Sequence, residues 1–118
     1  MEFTKKQIRP GVVALEMTGS ITIGSSCKQV EQQVDGIIGQ NQRWVIFDLS
    51  GVTYVDSAGM GTIVRSLCRL QKLGGTLRLT GVKGMVEGVL KLTQITRIIE
   101  IYPTAADAIQ DLPPVCGP

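Results

Sequence analysis

Residues 52–64, "VTYVDSAGMGTIV", bring together side chains that could support chemistry. A carboxylate and a hydroxyl, Asp56 and Ser57, are followed closely by Gly59 and Gly61. Either Asp56 or Ser57 can cap a helix, because its side-chain oxygen accepts a hydrogen bond from an unpaired backbone N–H. Alternatively, the Ser57 hydroxyl could be a group on which another molecule acts. Local chemistry alone favours the cap, and the two roles are compatible because a capping hydroxyl is also exposed at a helix end.

The remaining residue inventory argues against catalysis by this chain. It has no histidine, which excludes Ser-His-Asp and Cys-His sites and imidazole metal ligands. Its cysteines, Cys27, Cys68 and Cys116, are widely spaced, so neither a disulfide framework nor a metal site is predicted. Helical spacing predicts that Cys27 and Cys68 are buried. The segment "GMGTIV" lacks the third glycine of a dinucleotide fingerprint, and no phosphate-binding P-loop occurs. We therefore predict a protein that is not an enzyme, with no cofactor and no metal.

Size and composition are those of one globular domain. The chain has 118 residues, of which 43% are hydrophobic and 19% charged, with a net charge of +2. We assign residues 1–112 to the domain and 113–118 to a Pro/Gly-rich tail. No dense Lys/Arg cluster suggests direct nucleic-acid binding. No apolar run approaches the ~20 residues of a membrane span, and the N-terminus lacks a signal-peptide core. These features predict a cytoplasmic protein without a membrane span.

Hydrophobic periodicity predicts the order β-β-α-β-α-β-α-β-α. The predicted strands are 2–8, 12–18, 44–50, 76–82 and 97–102, and the predicted helices are about 25–40, 58–73, 83–93 and 104–112. Strands joined through helices favour parallel pairing, whereas the opening hairpin adds one antiparallel pair. The predicted fold class is therefore α/β, a mixed and mainly parallel sheet with about four helices in a single domain.

Loops after the carboxyl ends of such strands are where ligands and partners usually bind. The three predicted loops are "GSITIGS", "SGVTYVDSAG" and "TGVKG", and the second is richest in polar groups and glycine. Gly59 and Gly61 fall in the first turn of a helix, where glycine costs about 1 kcal/mol relative to alanine. Either the turn packs closely against a neighbouring loop, or a partner's backbone approaches it; spacing leaves both open.

The same residues carry a family resemblance. "WVIFDLSGVTYVDSAGMGTIV" resembles the central strand, loop and helix of the STAS domain, with its D-S-x-G-[LM]-G signature at residues 56–61. "GGTLRLTGVKGMVEGVLKLTQITRIIEIYPTAADAI" resembles the later part of that domain, and "GSITIG" is similar to its loop after the second strand. The resemblance covers nearly the whole chain. STAS domains occur in bacterial anti-sigma factor antagonists and in cytoplasmic parts of sulphate transporters.

The resemblance implies an anti-sigma factor antagonist that regulates sigma-factor-dependent transcription by partner switching. Its partner would be an anti-sigma factor with serine-kinase activity, which phosphorylates the serine at the position of Ser57. We therefore expect the Ser57 hydroxyl to serve as both cap and phosphate acceptor. The unphosphorylated antagonist binds that kinase and frees a sigma factor, and a PP2C-type phosphatase resets the switch. The resemblance implies a partner-binding surface of Ser20, Thr22, Gly24, Asp56, Ser57, Ala58, Gly59, Met60, Gly61, Thr62, Arg65 and Val82.

One position departs from the family pattern. Many antagonists have an acidic residue in a G-x-[LI]-D segment of the second-strand loop, where this chain has Thr22. The departure leaves open a divergent kinase or a place in a larger sensory complex. The alternative function is a STAS scaffold or regulatory module of a transporter or sensory complex that is not phosphorylated. A third is a small-ligand binder that uses the same loops.

Overall fold

The computed structural model describes residues 1–110 and follows the predicted order of elements. The strands are β1 Glu2–Arg9, β2 Val12–Ile21, β3 Trp44–Val55, β4 Thr76–Thr80 and β5 Glu100–Tyr102. The helices are α1 Ser25–Gly39, α2 Ser57–Lys72, α3 Gly84–Leu92 and α4 Ala105–Ile109. A 3-10 helix at Ile95–Arg97 precedes β5, and its last residue falls in the segment 97–102 that was predicted as the last strand, so that strand begins later than predicted. The predicted order and the four helices are confirmed.

The five strands form one sheet in the order β1-β2-β3-β4-β5. β1 is antiparallel to β2, and every other neighbouring pair is parallel. This is the predicted mixed, mainly parallel sheet. β3 lies at its centre, as the continuous apolar run at the start of that strand predicts.

Alternate residues of the strands supply two hydrophobic clusters on opposite faces of the sheet. The larger cluster packs α1, α2 and α3 against one face; its fully buried side chains include Leu15, Ile37, Phe47, Ile63 and Leu90. The smaller cluster joins Val12, Ala14 and Ile46 to Ala108 of α4. Arginines from β1 and β4 hold the end of α4, since Arg9 donates to the carbonyl of Ile109 and Arg78 to that of Ala108. The site described below lies at one end of the larger cluster.

β2 and β3 extend beyond their other neighbours. β3 pairs with β4 only through residues 44–48, but it pairs with β2 as far as Val55, opposite Ile21. The pairing contains two register shifts, and Gly51 lies at the first of them. A Cβ at Gly51 would lie 2.8 Å from the carbonyl oxygen of Met17, so the glycine permits the strands to approach closely there. The predictions that these strands end at residues 18 and 50 were wrong. The local sequence resembles a turn there, but pairing with the neighbouring strand continues the extended backbone.

Two further sequence predictions have mixed outcomes. Cys27 is buried as expected, whereas Cys68 is exposed on α2, so its predicted burial was wrong. Cys116, the proposed tail 113–118 and the end of the predicted helix 104–112 lie outside the described residues. Among residues 1–110, no helix has the length and apolar character needed to cross a membrane.

Candidate functional site

The N-terminus of α2 separates the two roles that Asp56 and Ser57 could have shared. Asp56 is the N-cap, since its Oδ1 atom accepts a 2.8 Å hydrogen bond from the backbone N–H of Gly59. Ser57 is the first residue of the helix and is exposed. Among the residues that the structure describes, none forms a hydrogen bond with its hydroxyl. The prediction that the Ser57 hydroxyl caps the helix was therefore wrong, because the cap is Asp56, whereas its role as a phosphate acceptor stays a prediction.

The second carboxylate oxygen of Asp56 reaches a different part of the chain. Oδ2 accepts a 2.9 Å hydrogen bond from the backbone N–H of Ile23, in the loop between β2 and α1. The hydrogen bonds from Ile23 and Gly59 lower the pKa of the Asp56 carboxyl below its ordinary value of 3.8, because both stabilise the charged form. Asp56 is therefore ionised at neutral pH. With both oxygens already engaged, Asp56 is a poor general base for Ser57, which argues against activation of the serine as a nucleophile by its neighbour.

The loop that carries Ile23 is also closed by Ser26. The backbone N–H of Thr22 donates to the Ser26 hydroxyl at 2.8 Å, and that hydroxyl donates to the carbonyl of Thr22 at 2.9 Å. Thr22, at the family's frequently acidic position, is thus held by the first turn of α1. The loop is fixed on both sides of its tip, and the Ile23 side chain is nevertheless 79% exposed. A preformed loop with an exposed apolar tip is suited to contact a partner.

The two glycines of the signature have different surroundings. A Cβ at Gly59 would lie 2.3 Å from the carbonyl oxygen of Ile21 and 2.8 Å from Val55 Cγ1. Gly59 therefore permits close packing of α2 on the end of β2, which was one of the two explanations left open. A Cβ at Gly61 would meet only the Nη1 atom of Arg65, at 3.3 Å. Gly61 faces a groove instead.

That groove lies between the first turns of α1 and α2 and has a volume of about 420 Å³. Ser57 is on its wall, and its other lining residues are Ile23, Gly24, Cys27, Lys28, Glu31, Ala58, Gly61 and Arg65. Arg65 pairs with Glu31 across the groove at 3.1 Å and also donates to the Thr62 hydroxyl at 3.1 Å. The Lys28 ammonium has no ion pair within the described part of the chain. Ser57 thus shares one groove with two cationic side chains and one carboxylate.

The residues predicted for partner binding separate into four groups. Those in the groove are Gly24, Ser57, Ala58, Gly61 and Arg65. Gly59, Met60 and Thr62 are buried beneath them. Asp56 and Thr22 are partly buried beside the groove, Ser20 is partly buried in β2, and Val82 lines a separate groove with Glu87 and Tyr102. The structure therefore gathers the loop tip and the start of α2 but leaves Val82 apart from Ser57.

Sequence reasoning missed three residues of the groove, namely Cys27, Lys28 and Glu31. Lys28 and Glu31 lie on the polar side of an amphipathic helix, a pattern that usually indicates a solvated face. Ile23 was inside the named second-strand loop, but nothing in the loop sequence indicates that its side chain points outward. Among residues 1–110, no group of three or more His, Cys, Asp or Glu could hold a metal ion.

Comparison with known proteins identifies relatives of this chain. The family model described as the STAS domain matches residues 4–108. A candidate anti-sigma factor antagonist from Thermotoga maritima is 32% identical over 78 residues, which are 66% of this chain and 69% of the relative. The family match includes the site, since the matched residues span every residue of the groove.

Solved structures show the same fold. The crystal structure of a candidate anti-sigma factor antagonist from Thermotoga maritima has a TM-score of 0.77 at 28% identity, covering 92% of each chain. The phosphorylated form of SpoIIAA, a Bacillus cell fate determinant, has a TM-score of 0.69 and covers 92% of this chain and 96% of its own. At 16% identity, the second likeness shows the fold alone.

Proposed function

Because the chain belongs to the STAS domain family, we propose that it is an anti-sigma factor antagonist switched by phosphorylation of Ser57. The observation that carries the proposal is that the Ser57 side chain is exposed and is not needed as the helix cap. It is exposed at the head of α2, while the neighbouring Asp56 supplies the cap that the helix needs. A phosphate on Ser57 would therefore leave the cap intact. The names of the relatives support the antagonist role. They do not mention phosphorylation, so the role of Ser57 as phosphate acceptor is our own proposal.

The partner is an anti-sigma factor with serine-kinase activity, which docks over the loop tip and the start of α2. Ile23 offers exposed apolar area, and Ser57 lies in the groove beside it. The kinase supplies ATP, metal and catalysis, and this chain supplies a positioned hydroxyl. Binding of the unphosphorylated chain releases the sigma factor from the kinase. The role is cytoplasmic and requires no direct contact with nucleic acid.

Phosphorylation would change the docking surface without unfolding the domain. It adds about −1.5 to −2 charges and three acceptor oxygens at neutral pH. The N-terminus of a helix favours negative charge, so α2 tolerates the modification. A partner that fits the bare serine would meet added bulk and charge, and it would dissociate. A PP2C-type phosphatase then restores the binding form.

The test is phosphorylation of the full chain by serine kinases encoded near its gene, with ATP and mass-spectrometric mapping. We expect phosphate on Ser57 and none on the Ser57→Ala variant. The matched control is Ser50→Ala, because Ser50 is another exposed serine, on β3. The free energy of unfolding of both variants should lie within about 0.5 kcal/mol of that of the wild type, because substitutions of exposed residues usually change it by no more than this. Phosphate that persists in Ser57→Ala would contradict the assignment.

The alternative from the sequence, a STAS scaffold or regulatory module that is not phosphorylated, predicts a different result. Such a module would form a complex that persists when ATP is added. The antagonist would instead leave its kinase after phosphorylation, so its complex should dissociate with ATP and persist with a non-hydrolysable analogue. Analytical size exclusion of the two mixtures separates these functions.

A further inference from the structure

We propose that the groove between α1 and α2 is a binding subsite for the phosphorylated Ser57 side chain, in which Arg65 exchanges Glu31 for the phosphate. This inference rests on the proposed phosphorylation of Ser57 and names how that site is regulated. It assigns Arg65 as the principal phosphate ligand and Lys28 as a second cation. Both line the groove together with Ser57.

Arg65 is placed to make the exchange because its side chain runs back toward the start of α2. Its guanidinium donates to Thr62, one turn closer to the N-terminus, and its Nη1 atom lies beside the bare Cα of Gly61. Gly61 is one helical turn, ~6 Å of rise, from Ser57. The missing side chain at Gly61 keeps the space between the guanidinium and the serine open. A phosphoserine and a small rotation of the arginine can close that distance.

The present partner of Arg65 is weakly held. In the ion pair with Glu31, the Arg65 side chain is 63% exposed and the Glu31 side chain is 42% exposed. Pairs this exposed contribute little to stability, because water and salt screen them. A phosphate carries more charge than a carboxylate and can accept two parallel hydrogen bonds from a guanidinium. The phosphate therefore competes favourably for Arg65 once it is attached nearby.

Lys28 approaches the same space from the other helix. It lines the groove from α1 and has no ion pair among residues 1–110. Of the charged groove residues, Lys28 and Arg65 are cations and Glu31 is an anion, so the unmodified lining has an excess of one positive charge. This excess favours an added anion. Binding in the groove would partly bury the phosphate between α1 and α2. The phosphate would therefore have to leave the groove before a phosphatase could hydrolyse it.

The test uses the full chain with phosphoserine incorporated at position 57 during synthesis and a ³¹P NMR titration of the phosphate. Cations nearby favour the dianion, so they lower its second pKa from about 6. We expect Arg65→Gln to raise that pKa by about 0.5, a threefold change in proton affinity, as for an exposed charge pair. Lys28→Gln should raise it in the same direction.

Arg69 provides a matched control on the same helix. It pairs with Asp35 of α1, so it makes the same type of interhelical bridge one turn farther from Ser57. Arg69→Gln removes the same charge. It should leave the second pKa of the phosphate within about 0.1 of its value in the phosphorylated chain without this substitution, because screening weakens charge interactions over a Debye length of about 8 Å. Equal shifts in Arg65→Gln and Arg69→Gln, or none in either, would overturn the subsite.

A second variant separates the exchange from a loss of folding. Glu31→Gln removes the competitor for Arg65 and a negative charge, so it should lower the second pKa, opposite to Arg65→Gln. A damaged fold would not move the two variants in opposite directions. Because phosphoserine is incorporated without a kinase, the titration is independent of the proposed function. A subsite that binds phosphate in a chain that no kinase modifies would contradict the function alone.

Discussion

The Asp56 carboxylate accepts a 2.9 Å hydrogen bond from the backbone N–H of Ile23, 33 positions earlier in the chain. The same carboxylate caps α2 through Gly59. One side chain therefore fixes both the loop before α1 and the first turn of α2. The positions of the apolar loop tip and Ser57 are coupled through it, because Ser57 directly follows the cap.

Removing that carboxylate should destabilise the domain in a pH-dependent way. The pKa of Asp56 is lowered in the folded state, so its stabilisation is complete above the unfolded-state value and is lost as the pH falls through the folded-state value. Urea unfolding should show a lower midpoint for Asp56→Ala, by an amount that is constant from pH 7 to about 5 and shrinks below about 4. Asp56→Asn retains one acceptor oxygen but does not titrate, so its difference from Asp56→Ala should persist in acid. An undiminished difference between wild type and Asp56→Ala at about pH 2.5 would contradict this account.

The two signature glycines should respond oppositely to alanine. A helix gains about 1 kcal/mol from Gly→Ala, but overpacking typically costs 1–3 kcal/mol. Gly59→Ala would place a Cβ 2.3 Å from the Ile21 carbonyl oxygen, so we expect a net loss of up to about 2 kcal/mol in the free energy of unfolding. Gly61→Ala is the matched control, because only the movable Arg65 guanidinium is near it, and we expect up to about 1 kcal/mol of gain. Equal effects in urea unfolding would show that Gly59 is not kept small by packing.

The order of elements was predictable because it depends on local periodicity. The α2 stripe is an example: Met60, Ile63, Leu67 and Leu70 recur at helical spacing and are all buried. The central place of β3 follows from its apolar run in the same way. The prediction of Ser57 as the acceptor comes from the family signature, which is a contiguous segment and needs no knowledge of packing, and it stays a prediction.

The features that complete the site were not predictable because they depend on distant residues. β3 continues past Gly51 because β2 supplies hydrogen-bond partners, which the local sequence does not indicate. The hydrogen bond from the backbone N–H of Ile23 to the capping Asp56 joins segments 33 positions apart. Lys28 is identified as a site residue only when α1 is packed beside α2. Each of these depends on a contact between segments that periodicity treats separately.

The exposed tip of the second-strand loop should dominate apolar contact with the anti-sigma factor. Ile23 is 79% exposed beside Ser57, and burying such a side chain contributes about 1.5–3 kcal/mol. We expect Ile23→Ser to weaken binding to the partner kinase at least about tenfold in isothermal titration, with unfolding unchanged. Leu92→Ser is the matched control, because Leu92 is 84% exposed at the end of α3 and is not part of the groove. If both variants bind equally to the kinase, the apolar contact is not made by this loop. If only Leu92→Ser weakens binding, the partner docks on the α3 side of the domain.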